Sequence, residues 1–358
     1  MAPAFHSPGQ VWRFNAVLLG VLALPLLIAL LGSAPRAQVY RAMPASAGPF
    51  SFITHEIYGQ QADIDVLFDG DSVLWVGLDA AYFQAQLSAA LGRPARVVVL
   101  AANWPGMDQR YVLLRDLLRH RHVGMVVLSP PHPGSERDRP HTQAFRWLQF
   151  GADPAVTAGL TLRSQLAVYA AEVLGAPRQL LSVIRPNRVA AGEDQDVLAG
   201  LGSKKVEQGF HGAPFVRVAP LAARAIAADS MILSPQTAQD FHVTGPPLSQ
   251  YQLHFMRLIG KLLAEHAIPL TVVHVPLARE HGQAAISEQA DWSHAFGTHA
   301  TVIGVSTQRL FGAMSDEEFY RYYYDDHLNR NGSELFTRVI SPALIEVYRR
   351  SHQRAGDR

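Results

Sequence analysis

The sequence predicts an α/β domain on a central parallel sheet of about five strands, set behind one apolar N-terminal helix and broken by a mainly helical or irregular insertion. Three observations carry that expectation. Short runs dense in Val, Ile and Leu alternate with helix-length stretches. The runs are continuously apolar, as strands buried on both faces are. A charge-free segment of seventeen residues, 16–32, precedes them all.

That segment, "AVLLGVLALPLLIALLG", has the minimum length for a bilayer-spanning helix. It is long for the apolar region of a signal peptide, and the following "GSAPRAQ" is a loose cleavage-site match. Residues 1–34 are therefore read as an uncleaved anchor, ahead of a removed signal and of a buried core helix. Arg13 and Arg36 on its two flanks leave orientation open. Residues 35–62, rich in Ala, Pro, Gly and Ser, predict a linker.

"IDVLFDG" (64–70) predicts the first strand, residues 78–91 a helix, and "ARVVVLAA" the second strand. "MDQRYVLLRDLLRH" (107–120) predicts an amphipathic helix, and "VGMVVLS" (123–129) a third strand. The alternation then breaks over 130–250, where "TLRSQLAVYAAEVLG" is helix-like and 188–247 reads as an insertion or cap. A helix at 251–266, the strands "PLTVVHVP" and "ATVIGVS", and a terminal helix at 332–350 complete a domain spanning 63–352.

With 48% hydrophobic and 17% charged residues, the 358-residue chain suits a packed globular body. A net charge of +1 without a Lys/Arg run leaves no footprint for nucleic acid. The absence of cysteine excludes disulfides, thiolate nucleophiles and Cys-ligated zinc. Sixteen histidines form no HExxH and no ligand-like pair, so neither metal nor cofactor is expected. No phosphate-binding glycine motif follows a strand, which leaves a nucleotide-binding reading without support.

Chemistry is expected at "GDS", because ligands of open α/β sheets bind outside the carboxyl ends of the strands. Ser72 has that position, behind Gly70 and Asp71. Two readings fit: a nucleophile whose own N–H faces an oxyanion, or a helix cap by Asp71 or Ser72. "YYYDDHLNRNG" (322–332) places Asp325 and Asp326 beside His327. A serine nucleophile needs a base, and the base needs an acid to hold its tautomer. The other reading is a solvated loop with Asn331 and Ser333 capping the terminal helix.

Together these stretches resemble the SGNH (GDSL-like) hydrolase superfamily over most of the chain from residue 64. The resemblance implies a three-layer, flavodoxin-like domain and a triad of Ser72, His327 and Asp325, with Asp326 the alternative acid. The family usually spaces its acid three residues before the histidine, where Tyr324 stands here. An Asp-x-His pattern occurs in membrane-associated relatives. The resemblance further implies an oxyanion donor at Gly106 in "LAANWPGMDQ". The family's Gly-x-Asn-Asp after the third strand is replaced by "VVLSPPHPG", which leaves Asn103, Ser129 and His132 as substitute donors. That departure is shared with membrane-anchored relatives that handle acyl groups on cell-surface glycans.

The expected function is serine-dependent acyl-ester chemistry on a cell-envelope glycan or a related acylated substrate. Water as acceptor makes an O-acyl esterase; a sugar hydroxyl makes an O-acyltransferase. The catalytic domain is expected to be extracytoplasmic and held to the membrane through residues 16–32. The alternative is a catalytically weak SGNH-like module that binds glycan or assists a multispanning membrane acyltransferase. The sequon "NGS" (331–333) is discounted, because a glycan there would obstruct His327.

Overall fold

The computed structural model describes residues 7–30, 35–43, 48–102, 106–130, 153–184, 207–218, 227–233, 249–282, 295–297, 300–312 and 314–356. In chain order its helices are α1 (Pro8–Leu30), α2 (Arg36–Arg41), α3 (Phe50–Thr54), α4 (Ser72–Gly77), α5 (Ala80–Leu91), α6 (Met107–Leu118), α7 (Pro154–Thr157), α8 (Leu162–Ile184), α9 (Gln250–Glu265), α10 (Thr307–Phe311), α11 (Asp316–Tyr320) and α12 (Arg330–Gly356). Its strands are β1 (Ile64–Gly70), β2 (Val97–Ala101), β3 (Val123–Leu128), β4 (Ile232–Leu233), β5 (Leu270–Val273), β6 (Thr301–Ile303), β7 (Tyr323–Tyr324) and β8 (His327–Leu328). The chain divides into two compact units, Met1–Pro44 with Arg139–Arg188, and Ala45–Asp138 with Val189–Arg358.

The first unit contains α1, α2, α7 and α8, with α8 packed along α1 and α2. Pro8–Ile28 has a mean hydropathy of 2.0, is unburied, and is long and apolar enough to cross a membrane.

The second unit is the α/β body. Its sheet runs β2-β1-β3-β5-β6-β4, with the first five strands parallel and β4 antiparallel at the edge. The five expected strands are present. β4 is an addition from the 130–250 stretch, and two residues are too few to show a period in sequence. Side chains alternate across β1. Val66 and Phe68 point into a core with Phe83 and Leu87 of α5 and Phe336, Ile340 and Leu344 of α12. Leu67 and Asp69 point the other way, toward the layer in which α6 and α9 pack on each other.

The helix expected at 78–91 is α5, opened by Asp79, which accepts from Tyr82 N–H at 3.0 Å; the short α4 before it is an addition. Three expectations are revised. Helix α6 is buried on every side rather than amphipathic, because its polar residues face partners inside the protein: Asp108 accepts from the Tyr251 hydroxyl at 2.8 Å, and Arg110 reaches Asp71. Residues 35–62 hold α2, α3 and a π-type turn, His55–Gly59, with Tyr40, Phe50, Ile53 and Ile57 buried. Buried Glu56 there takes Arg121 at 2.6 Å and Arg96 at 3.1 Å. The polar stretch before α12 is a hairpin, β7–β8.

Candidate functional site

The chain leaves β1 for β2 and then crosses to β3 on the other side of β1. Such a reversal opens a crevice at the carboxyl ends of the two central strands. Ser72 follows β1 there and Ser129 follows β3.

Gly70 ends β1 in tight surroundings. A Cβ at that position would lie 2.6 Å from Leu74 Cδ2, 2.8 Å from Leu74 Cβ and 3.0 Å from Ser129 Oγ. The glycine is required by space, not by a left-handed backbone. Asp71 then caps α4, its Oδ1 accepting from Val73 N–H at 3.0 Å and Leu74 N–H at 3.2 Å. Capping thus falls to Asp71 and leaves the Ser72 hydroxyl at the first position of the helix. Ser72 Oγ lies 3.0 Å from His327 Nε2, across 255 residues of sequence. With the ring proton on Nδ1 the serine donates to Nε2, the hydrogen bond a general base requires.

The turn is braced from beneath. Asp71 Oδ2 meets buried Arg110 Nη2 at 3.4 Å, Arg110 Nη1 donates to the Ser129 carbonyl, and Asp71 N–H donates to Ser129 Oγ at 3.4 Å. Ser129 is therefore beside the serine turn, with its hydroxyl accepting from that turn. Asp69 is fully buried below, and among the described residues neither carboxyl oxygen has a hydrogen-bond partner. Burial, opposed by Arg110 and aided by Asp71, raises its pKa to about 8.

His327 comes from the hairpin. It pairs with Tyr324 in the β7–β8 register, and the two rings stack at 5.4 Å with 19° between planes. Burial, then the charge of Asp325, raises the Tyr324 phenol to about 12, so it keeps its proton at neutral pH. Asp325 and Asp326 form the turn between the two rings. Asp325 has φ 44°, a left-handed value that Asp tolerates better than most residues. Its side chain is 72% exposed and its Oδ1 is 3.5 Å from His211 Nδ1. Asp326 takes Arg279, through N–H at 3.3 Å and Nη1 at 2.9 Å.

Asn329 ties the hairpin to α12. Its Nδ2 donates to the carbonyls of Arg321, Tyr323 and Gln208, and its Oδ1 accepts from Asn331 and Gly332 N–H. The cap of α12 is therefore Asn329, where the solvated-loop reading has Asn331 and Ser333. The Asn331 amide is buried, donating to Val216 and Arg321 carbonyls while accepting from Arg217 and Val218, which removes it as a glycan acceptor.

Gly106 is the N-cap of α6, as its helix-opening position suggested; a Cβ there would overlap Asp108 Oδ1. The next amide, Met107 N–H, donates to Gln252 Oε1 at 3.0 Å. Asn103 and His132 lie outside the described residues. Among the described residues, no group of three or more His, Asp or Glu is placed to hold a metal.

Ser72 and His327 are thus brought together, while the carboxylates of Asp325 and Asp326 are directed to His211 and Arg279. Sequence reasoning missed Arg110, Asp69, Tyr324 and Asn329. The available signal was a charged residue at an inner position of a mostly apolar strand, Asp69, or within a helix that proves to be buried, Arg110.

No protein-family model matches the chain, and no curated protein matches it.

Proposed function

We propose that the chain carries out serine-dependent acyl-ester chemistry in the manner of the SGNH hydrolases, with Ser72 as nucleophile and His327 as base. The observation that carries this reading is the 3.0 Å contact of Ser72 Oγ with His327 Nε2 at the carboxyl end of β1. The order of the parallel strands, β2-β1-β3-β5-β6, supports it, since flavodoxin-like sheets follow that order and bind at this crevice.

In the proposed reaction Ser72 Oγ attacks an ester carbonyl and its proton passes to His327 Nε2. The oxyanion forms against the N–H groups of Ser72 and Gly106. Collapse breaks the ester C–O bond, and His327 returns the proton to the departing alcohol. A second hydroxyl then attacks the acyl-serine, giving its proton to His327, which reprotonates Ser72 Oγ as the acyl group leaves. Water makes the protein an O-acyl esterase, and a sugar hydroxyl makes it an O-acyltransferase. The proposed substrate is an acylated glycan of the cell envelope, with α1 as anchor and the α/β body outside the cytoplasm.

A second reading, a glycan-binding or accessory module beside a multispanning acyltransferase, is favoured by one observation: Asp325 faces His211. Intact-mass labelling of the full chain in detergent micelles with a serine-directed phosphonofluoridate separates the two. The enzyme reading expects a single adduct, lost in Ser72→Ala and in His327→Ala. A folded wild-type chain without an adduct would establish the module instead.

A further inference from the structure

Helix α8 is built inside out for a water-facing helix. An amphipathic helix of a soluble protein turns its large apolar residues to the core and its polar ones to solvent. Among the described side chains of α8 the buried residues are Ser164, Val168, Gly175, Ala176 and Gln179, small or polar but for one valine. The large apolar residues Leu162, Leu166, Tyr169, Leu174, Leu181 and Ile184 are exposed, Leu162 and Leu174 each at 71%. Glu172, four residues after Val168, falls on the inward stripe and is partly buried. Small and polar residues at the helix contact with large apolar ones outside is the pattern of helices packed within a bilayer.

What that face meets is indicated by its neighbour. Helix α8 packs along α1, whose own surface of Trp12, Leu19, Leu22 and Leu27 is exposed, so the two apolar surfaces belong to one unit. At 23 residues α8 is about 34 Å long, close to the thickness of a hydrocarbon core. Both helices carry an internal proline, Pro25 and Pro177, which bilayer helices accommodate more readily than water-exposed ones. Arg163, Glu172 and Arg178 distinguish α8 from a plain apolar span.

We infer that α8 is a second membrane-embedded element, packed on α1 with its Leu162, Leu166, Leu174, Leu181 and Ile184 side in contact with lipid acyl chains. The inference rests on α1 entering the bilayer and does not depend on the chemistry of Ser72. The membrane attachment is then a helical pair whose second member comes from far along the chain.

The chain has no cysteine, so single cysteines report without background. Leu166→Cys and Leu181→Cys on α8, Leu22→Cys on α1 and Arg119→Cys on the α/β body would each be labelled with a nitrobenzoxadiazole dye. The full-length variants would be reconstituted in phosphatidylcholine vesicles with and without doxyl-labelled lipid. Thermal melts matching the parent chain establish that each variant is folded; all four positions are exposed. The expected result is that the dyes at 166 and 181 lose intensity to doxyl lipid by the same factor as the dye at 22 and resist iodide, while the dye at 119 does the reverse. Quenching at 22 with iodide-sensitive dyes at 166 and 181 would overturn the inference and leave the anchor standing. Dyes at 166 and 181 shielded from both quenchers would overturn it in favour of a protein surface. Absence of lipid quenching at 22 would remove anchor and inference together.

Discussion

At the scale of single residues, the arrangement turns on which groups are left available by their neighbours. Asp71 caps α4, and Ser72 Oγ is thereby left to His327. The turn of the β7–β8 hairpin carries Asp325 outward to His211. An acid that orients the base loses about four orders of magnitude in kcat when changed to its amide. From the geometry, Asp325→Asn is expected to lower the rate of phosphonofluoridate labelling less than tenfold, an order-of-magnitude bound set against that loss. A loss comparable to that of His327→Ala would show that Asp325 turns onto the ring during reaction. Asp69 makes a separate prediction. An unfolded aspartate ionises near 3.8, whereas buried Asp69 holds its proton until about 8. Between these values the native state binds more protons than the unfolded chain, so stability falls as pH rises through the window. Melting curves of wild type and Asp69→Asn across that range should diverge, the wild type losing Tm relative to the variant toward pH 8; parallel curves would contradict the raised pKa.

At the scale of elements, the site depends on a hairpin of two-residue strands, too short to hold itself by its own ladder. Asn329 supplies what the ladder lacks, satisfying carbonyls of Arg321, Tyr323 and Gln208 and the first amides of α12. A buried group left without its partner costs about 1–3 kcal/mol. Asn329→Ala is therefore expected to destabilise the fold by about 2–4 kcal/mol in urea titration, and to slow labelling of Ser72 because His327 lies two residues away. Unchanged stability would mean that the hairpin is held from elsewhere, by Asp326 on Arg279 and the Tyr323 hydroxyl on the Pro276 carbonyl.

For the whole α/β body, Arg110 is the point at which separate layers meet. It lies in α6, contacts Asp71 after β1 and donates to Ser129 after β3. Removing one partner of a buried ion pair leaves an uncompensated charge and costs about 3–5 kcal/mol. Arg110→Ala should lose that amount in equilibrium unfolding, measured with the full chain in detergent. A cost below about 1 kcal/mol, the range of a surface pair, would show the contact to be incidental. The same residue shows the limit of periodicity: the spacing of 107–118 announces a helix, but whether Arg110 faces water or a carboxylate depends on what covers it.

The sequence alone determined the parallel strands, since runs buried on both faces are predominantly apolar and bounded by turns. Its composition also excluded thiol chemistry, and its N-terminus marked an apolar helix long enough for a bilayer. Ser72 and His327 were legible as residue types at positions where sheets of this kind bind ligands. Their 3.0 Å contact was not, because 255 residues separate them and only the packing of α4 against β8 closes that distance. The directions of Asp325 and Asp326, the burial of α6 and the outward leucines of α8 were likewise decided by tertiary structure. Local spacing shows which residues share a face, and only packing shows what that face meets.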